Sequence, residues 1–174
     1  MNPMQKYTLL LFLSIAATAI YAQDIDELER RNGFKDLKLG VSIDSVKGEK
    51  KLRKEFREQD EFPAKLYSVE HSDYEKIGEV QVSKVEVKTY KDLVYQIHVV
   101  TGKDPRLMKA LESIYGPAAY DMKKETYFWK APTLILKFRS YSRNQLEMIY
   151  SSYTVLQLMK DDKGKKVEDI ADDF

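Results

Sequence analysis

From Val80 to Val100 the apolar residues alternate along the chain, first in one phase and then in another. Val80 and Val82 keep one phase, and Val85, Val87 and Thr89 keep the other. Strand side chains point alternately to opposite faces, so a change of phase predicts one extra residue, a β-bulge near Ser83-Lys84. Leu93, Tyr95, Ile97 and Val99 then line one face of a second strand, while Val94 and Val100 add apolar surface to the other. Lys91-Asp92 between the two runs reads as a hairpin turn. A chain carrying such a hairpin is committed to an antiparallel sheet, and its remaining segments must supply neighbours and cover.

The cover is most legible at 104–115. Asp104 is placed to cap a helix, Pro105 occupies its first position, and Leu107, Met108, Leu111, Ile114 and Tyr115 form one apolar stripe before Gly116-Pro117. A shorter helix is expected over Asp24–Arg31, stopped by Asn32-Gly33, with an extended segment at 34–40. Ser42 can cap a helix from Ile43, broken by Gly48. The spacing of Leu52 with Phe56, and of Glu49–Arg53 and Lys54–Glu58, predicts a further helix over Glu49–Asp60, ended by Phe62-Pro63. Strands are expected at 125–130, 133–139 and 145–152, the last continuing through Leu158. The charged tail at 161–174 reads as flexible.

The fold class that follows is α+β: an antiparallel sheet with helices packed on one face, compatible with two tandem α-β-β-β units. The domain spans 23–160, with halves 34–101 and 102–160. Gly40 with Gly102 and Ser42 with Asp104 align the halves at an offset of 62 residues.

The first 22 residues have a different character. A short n-region carrying Lys6 precedes an uncharged, mostly apolar stretch from Tyr7 to Ile20, and Ala22 offers a small residue for cleavage. This is the composition of a secretory signal peptide, with an apolar core short for a membrane span, so no stable span is expected once it is removed. Of 29 Lys and Arg only Lys6 lies in this leader, which leaves 28 basic against 28 acidic residues. A neutral balance argues against nucleic acid as partner, since phosphate binding calls for a basic excess. There is no cysteine, so neither disulfides, thiol catalysis nor Cys-based zinc sites are open to the chain. Cysteine-free export leans towards a bacterial envelope or secreted protein.

The segment Leu39-Gly40-Val41-Ser42-Ile43-Asp44-Ser45-Val46 resembles the L-G-x-S-x-x-x-V lead-in to a helical hairpin. That lead-in occurs in small exported proteins similar to the β-lactamase-inhibitor protein and the SmpA/OmlA outer-membrane assembly lipoproteins. The resemblance implies a helical pair on an antiparallel sheet, sometimes in tandem, and a role in binding other proteins. This chain lacks the cysteine that the lipoprotein branch acylates.

No catalytic, cofactor or metal motif can be nominated. His71 and His98 fall on different strands without a zinc-ligand spacing, no G-x-S-x-G occurs, and the seven glycines are dispersed. Glu70 with Asp73, or Glu125, could serve a small carboxylate hydrolase only if paired in a concave pocket. The feature with binding character is the aromatic second half. Consecutive Tyr127-Phe128-Trp129 must send rings to both faces of a strand, and Tyr141 and Tyr150 lie nearby. Tyr and Trp make good interface anchors and equally good cross-strand pairs within a sheet. Tyr127, Trp129, Tyr141 and Tyr150 are therefore the candidate binding residues, for another envelope or secreted protein or, alternatively, for carbohydrate or peptidoglycan.

Overall fold

The computed structural model describes residues 23–59 and 61–171, with side chains described to residue 165; the leader read at 1–22 lies outside them. Helix α1 (Ile25–Arg31) begins where the Asp24 carboxylate accepts from the Glu27 N–H and ends at Asn32, whose φ of 43° is left-handed. A miniature hairpin follows, β1 (Gly33–Phe34) and β2 (Leu37–Lys38). The Leu39–Val46 segment then makes one 3-10 turn, Ile43–Ser45, capped by Ser42, in place of the helix expected there. Leu39, Ile43 and Val46 are buried, and the backbone of 40–43 bonds to Asp92 and Val94.

The sheet is antiparallel throughout. Its strands are β3 (Glu49–Glu58), β4 (Phe62–Glu70), β5 (Lys76–Ile77), β6 (Val80–Tyr90), β7 (Leu93–Gly102), β8 (Ala119–Asp121), β9 (Thr126–Lys130), β10 (Leu134–Ser142) and β11 (Gln145–Ser152). Their order is β3-β4-β6-β7-β11-β10-β9-β8, with β5 paired to β6 off this path. Each half of the chain contributes a four-strand meander, and the halves join where β7 pairs β11. They share one core: Val87, Ile97 and Val99 pack in the same cluster as Trp129, Leu136 and Tyr150.

The α+β class and the antiparallel sheet are as expected, and so is helix α2 (Pro105–Tyr115), with Asp104 as its cap. The register shifts between Val82 and Lys84, which is the bulge that the phase change predicted. Lys91 and Asp92 both have positive φ, 47° and 62°, matching the right-handed twist of the flanking strands.

Two further segments correct the sequence reading. Residues 49–58 form strand β3, not a helix: Phe56 lies opposite Ala64, with the Lys88 ammonium 5.2 Å from its ring. Charges four apart favour a helix only weakly, whereas pairing along β4 satisfies the whole backbone. The exposed Lys51, Arg53, Lys54 and Glu55 also keep this edge strand from pairing with another chain. At the other end, β11 stops at Ser152 and the chain becomes helix α3 (Tyr153–Ala171), so the strand does not run to Leu158 and the tail is helical to 171. The Ser152 hydroxyl accepts from the Val155 N–H at 3.3 Å, and Val155 and Met159, one turn apart, are buried.

The core divides by sheet face. α1, α2 and the β1–β2 hairpin cover one face over Leu28, Val87, Ile97, Leu111 and Trp129. On the other, α3 crosses one end of the sheet, packing Val155 and Met159 on Phe62, Ala64, Tyr90 and Tyr95. Tyr95 reaches that face because a register shift at Lys88/Thr89 leaves it as the extra residue of β7. Its hydroxyl donates to Glu58 at 2.5 Å, and Asp162 of α3 accepts from Tyr90 and pairs with Lys91.

Candidate functional site

No described segment covers the half of this second face beyond α3. Strand alternation places Lys84 and Glu86 of β6, His98 of β7, Glu147 of β11 and Arg139 of β10 side by side there. Glu147 sits between Leu146 and Met148, which point into the opposite, helix-covered core. It is only 4% exposed. A buried carboxylate needs partners, and it has two: His98 Nε2 at 2.6 Å and Arg139 Nε at 2.5 Å. His98 Nδ1 lies 3.6 Å from Glu86, which pairs with Lys84 at 3.1 Å.

Two bulges complete the cluster. The one at Ser83 turns Lys84 onto this face, and Ser83 Oγ donates to the Val100 carbonyl and accepts from Gln145. A second, between Ser140 and Ser142, leaves Tyr141 as the extra residue and swings its ring across the sheet. The ring meets His98 edge-on at 5.7 Å, and Lys84 lies 5.0 Å from its centre while donating to its hydroxyl at 3.3 Å. Tyr141 is 47% exposed and crowns the cluster. Burial alone would lower Lys84, but its bonds to Glu86 and Tyr141 outweigh that and raise it, so it stays an ammonium.

This arrangement suits recognition better than turnover. Both nitrogens of His98 face carboxylates, so the imidazole offers no free edge to a substrate or a metal. Among the described residues no group of three His, Asp or Glu side chains is arranged to hold a metal. Glu70 and Asp73 line different depressions, and Glu125 is an exposed turn residue with a φ of 48°.

The structure separates the four aromatic residues singled out above. Trp129 is 1% exposed; its indole N–H donates to the Gly116 carbonyl at 2.8 Å, and its ring lies 6.0 Å from that of Tyr115. Tyr150 is buried on the same helix-covered face. Tyr127 is 40% exposed at the β8–β9 edge, where its ring lies 4.6 Å from that of Tyr120. Tyr141 stands on the opposite face from all three. The alternation inferred for Tyr127-Phe128-Trp129 holds, because Tyr127 and Trp129 share the face of Phe138 and Leu136 while Phe128 points the other way. The charged cluster around Glu147 was not foreseen. Its signal was a lone carboxylate between two apolar strand residues, paired with a histidine likewise flanked by Ile97 and Val99.

No family model, curated protein or solved structure matches this chain.

Proposed function

We propose that this protein is an exported, non-catalytic binding module of the bacterial envelope or secreted fraction, which engages a protein partner through the uncovered sheet face around Tyr141. The observation that supports this most is the cluster organised on Glu147. Glu147 holds Arg139 and His98, Glu86 holds Lys84, and Lys84 in turn holds Tyr141 before any partner arrives, so little rotamer freedom remains to be lost on contact. An exposed tyrosine flanked by an arginine is the kind of anchor that dominates protein interfaces. The export half of the reading rests on the signal-like composition of residues 1–22.

A glycan reading is favoured by a different feature, the adjacent exposed rings of Tyr120 and Tyr127, which offer a stacking platform at the sheet edge. One experiment separates the two. The purified protein and its Tyr141→Ala, Arg139→Ala and Tyr127→Ala variants are presented to envelope extract and to isolated cell wall. The protein reading expects a defined partner retained by wild type and Tyr127→Ala and lost by the other two. Cell-wall retention lost only in Tyr127→Ala supports the glycan reading, and identical recovery by all four rules out both surfaces.

A further inference from the structure

Beneath the helix-covered face, α2, β5 and the β1–β2 hairpin do not close completely over β11. They leave a cavity of about 190 Å³. Phe34, Leu107, Leu111 and Met148, all buried, form its apolar wall. An apolar cavity of about 150 Å³ is enough to take a benzene molecule, so this one has room for a single ring or a short acyl chain.

Tyr115 and Tyr150 also line it, each 3% exposed. Neither phenol finds a hydrogen-bond partner among the described residues; burial raises both above the ordinary tyrosine range, and the Arg31 guanidinium acts on both. They are therefore protonated donors without an acceptor among the described residues. Neither phenol oxygen is among the sealed hydroxyls left without a partner, which are those of Ser68, Thr89 and Thr101, so both phenols stay accessible from the cavity and free to donate into it. Arg31 stands at the mouth, half-exposed, with its Nε on Glu27 at 2.5 Å and its other nitrogens uncommitted among the described residues. Lys35, the other cation there, is held by the backbone carbonyls of Asp73 and Lys76.

Apolar walls, two donors lacking an acceptor and a cation at the mouth are complementary to one kind of molecule. The geometry points to a binding site for a small amphipathic monocarboxylate, its apolar body between α2 and β11 and its carboxylate accepting from Tyr150 and Tyr115 beside Arg31. This site lies across the sheet from the Tyr141 cluster and stands independently of the function proposed for it.

The test is titration of the purified protein with octanoate and benzoate, with 1-octanol as the uncharged control, followed by methionine-methyl NMR. Met148 lines the cavity, whereas exposed Met122 and Met159 under α3 serve as internal references. At least one carboxylate is expected to move the Met148 signal while leaving those two in place. Tyr150→Phe should weaken that binding by about tenfold to a hundredfold, the usual loss for a hydrogen bond to a charged group. The same variant should melt close to wild type without ligand, because the hydroxyl makes no bond among the described residues; a tyrosine with a purely structural bond would melt lower. Arg31→Gln should narrow the preference for octanoate over octanol. No movement of Met148 with either carboxylate at millimolar concentration, unchanged affinity in Tyr150→Phe, or octanol binding as well as octanoate overturns the assignment.

Discussion

Replacing Trp129 with alanine should unfold much of what holds the molecule together. The indole is 1% exposed in the shared core, and truncating a buried tryptophan to alanine costs about 3–5 kcal/mol. Two local terms place this site towards the upper end. The Gly116 carbonyl loses its 2.8 Å partner, worth about 1 kcal/mol, and the Tyr115 ring pairing at 6.0 Å contributes about 0.5–1.5 kcal/mol. A total near 5 kcal/mol is at least a third of the 5–15 kcal/mol typical of a folded domain. Trp129→Phe keeps the ring and loses mainly the hydrogen bond and some volume, so it should cost about 2 kcal/mol. Urea unfolding followed by circular dichroism measures both, with the midpoint falling at unchanged slope. Tyr141→Ala, which gives up only its half-exposed contacts with His98 and Lys84, should cost no more than about 1 kcal/mol in the same assay. An alanine variant at Trp129 within about 1 kcal/mol of wild type would refute the reasoning, since it would mean that the β9 strand and the turn after α2 are not locked through this side chain. Loss of a partner in Trp129→Ala would thus be a loss of fold, whereas Tyr141→Ala interrogates the surface.

Glu147→Ala should destabilise by roughly 2 kcal/mol, the loss of hydrogen bonds to charged partners, one of which, Arg139, can turn to solvent; urea midpoints measure it, and no change would mean the cluster is not formed in solution. Asp104→Ala should cost about 1 kcal/mol by uncapping α2, while Asp104→Asn keeps most of that stability; thermal melts of the pair distinguish capping from charge. Acid should loosen α3 before the rest. Burial would raise Glu58, but Tyr95 and Lys88 outweigh it and hold the carboxyl low, and Lys91 and Tyr90 hold Asp162 low. Both values lie below those of the unfolded chain, so their contribution is complete above the ordinary carboxylate range and fades as pH falls through the folded values. The Met159 methyl signal should therefore shift or broaden between about pH 5 and pH 2 ahead of Met148, and simultaneous changes would show that these carboxylates do not hold the helix.

What could be read from the sequence depended on how local its cause was. The Lys91-Asp92 turn, the bulge at Ser83 and both ends of α2 are fixed within a few residues, and each is written plainly in turn chemistry, phase or capping. Strand β3 was hidden because its charges fit helical spacing equally well, and only its pairing with β4 decides the matter. Helix α3 was masked by its charged second half, although Val155 and Met159 already carried the spacing that buries it. The Glu147–His98 contact joins strands that are neighbours in space and distant in sequence, so its register could not be deduced from either strand alone. Burial of Trp129 and Tyr150 was equally hidden, since an aromatic residue in a strand reads the same whether a helix lies over it or not.

The seam between β7 and β11 carries a consequence for how the molecule comes into being. A polypeptide emerges from its amino end, and the first meander is complete once Gly102 has appeared. Its last strand, β7, then presents an unpaired border holding Ile97, Val99 and Val100, three of the most deeply buried residues of the finished protein. The strand that will occupy that border, β11, is the last of all to be made. The mature edges are guarded, β3 by its charges and β8 by its three-residue length. The temporary edge has neither protection. The interval between the emergence of β7 and of β11 is accordingly when this chain is most prone to pair with a second copy of itself, and substitutions along that seam will register in yield before they register in melting temperature.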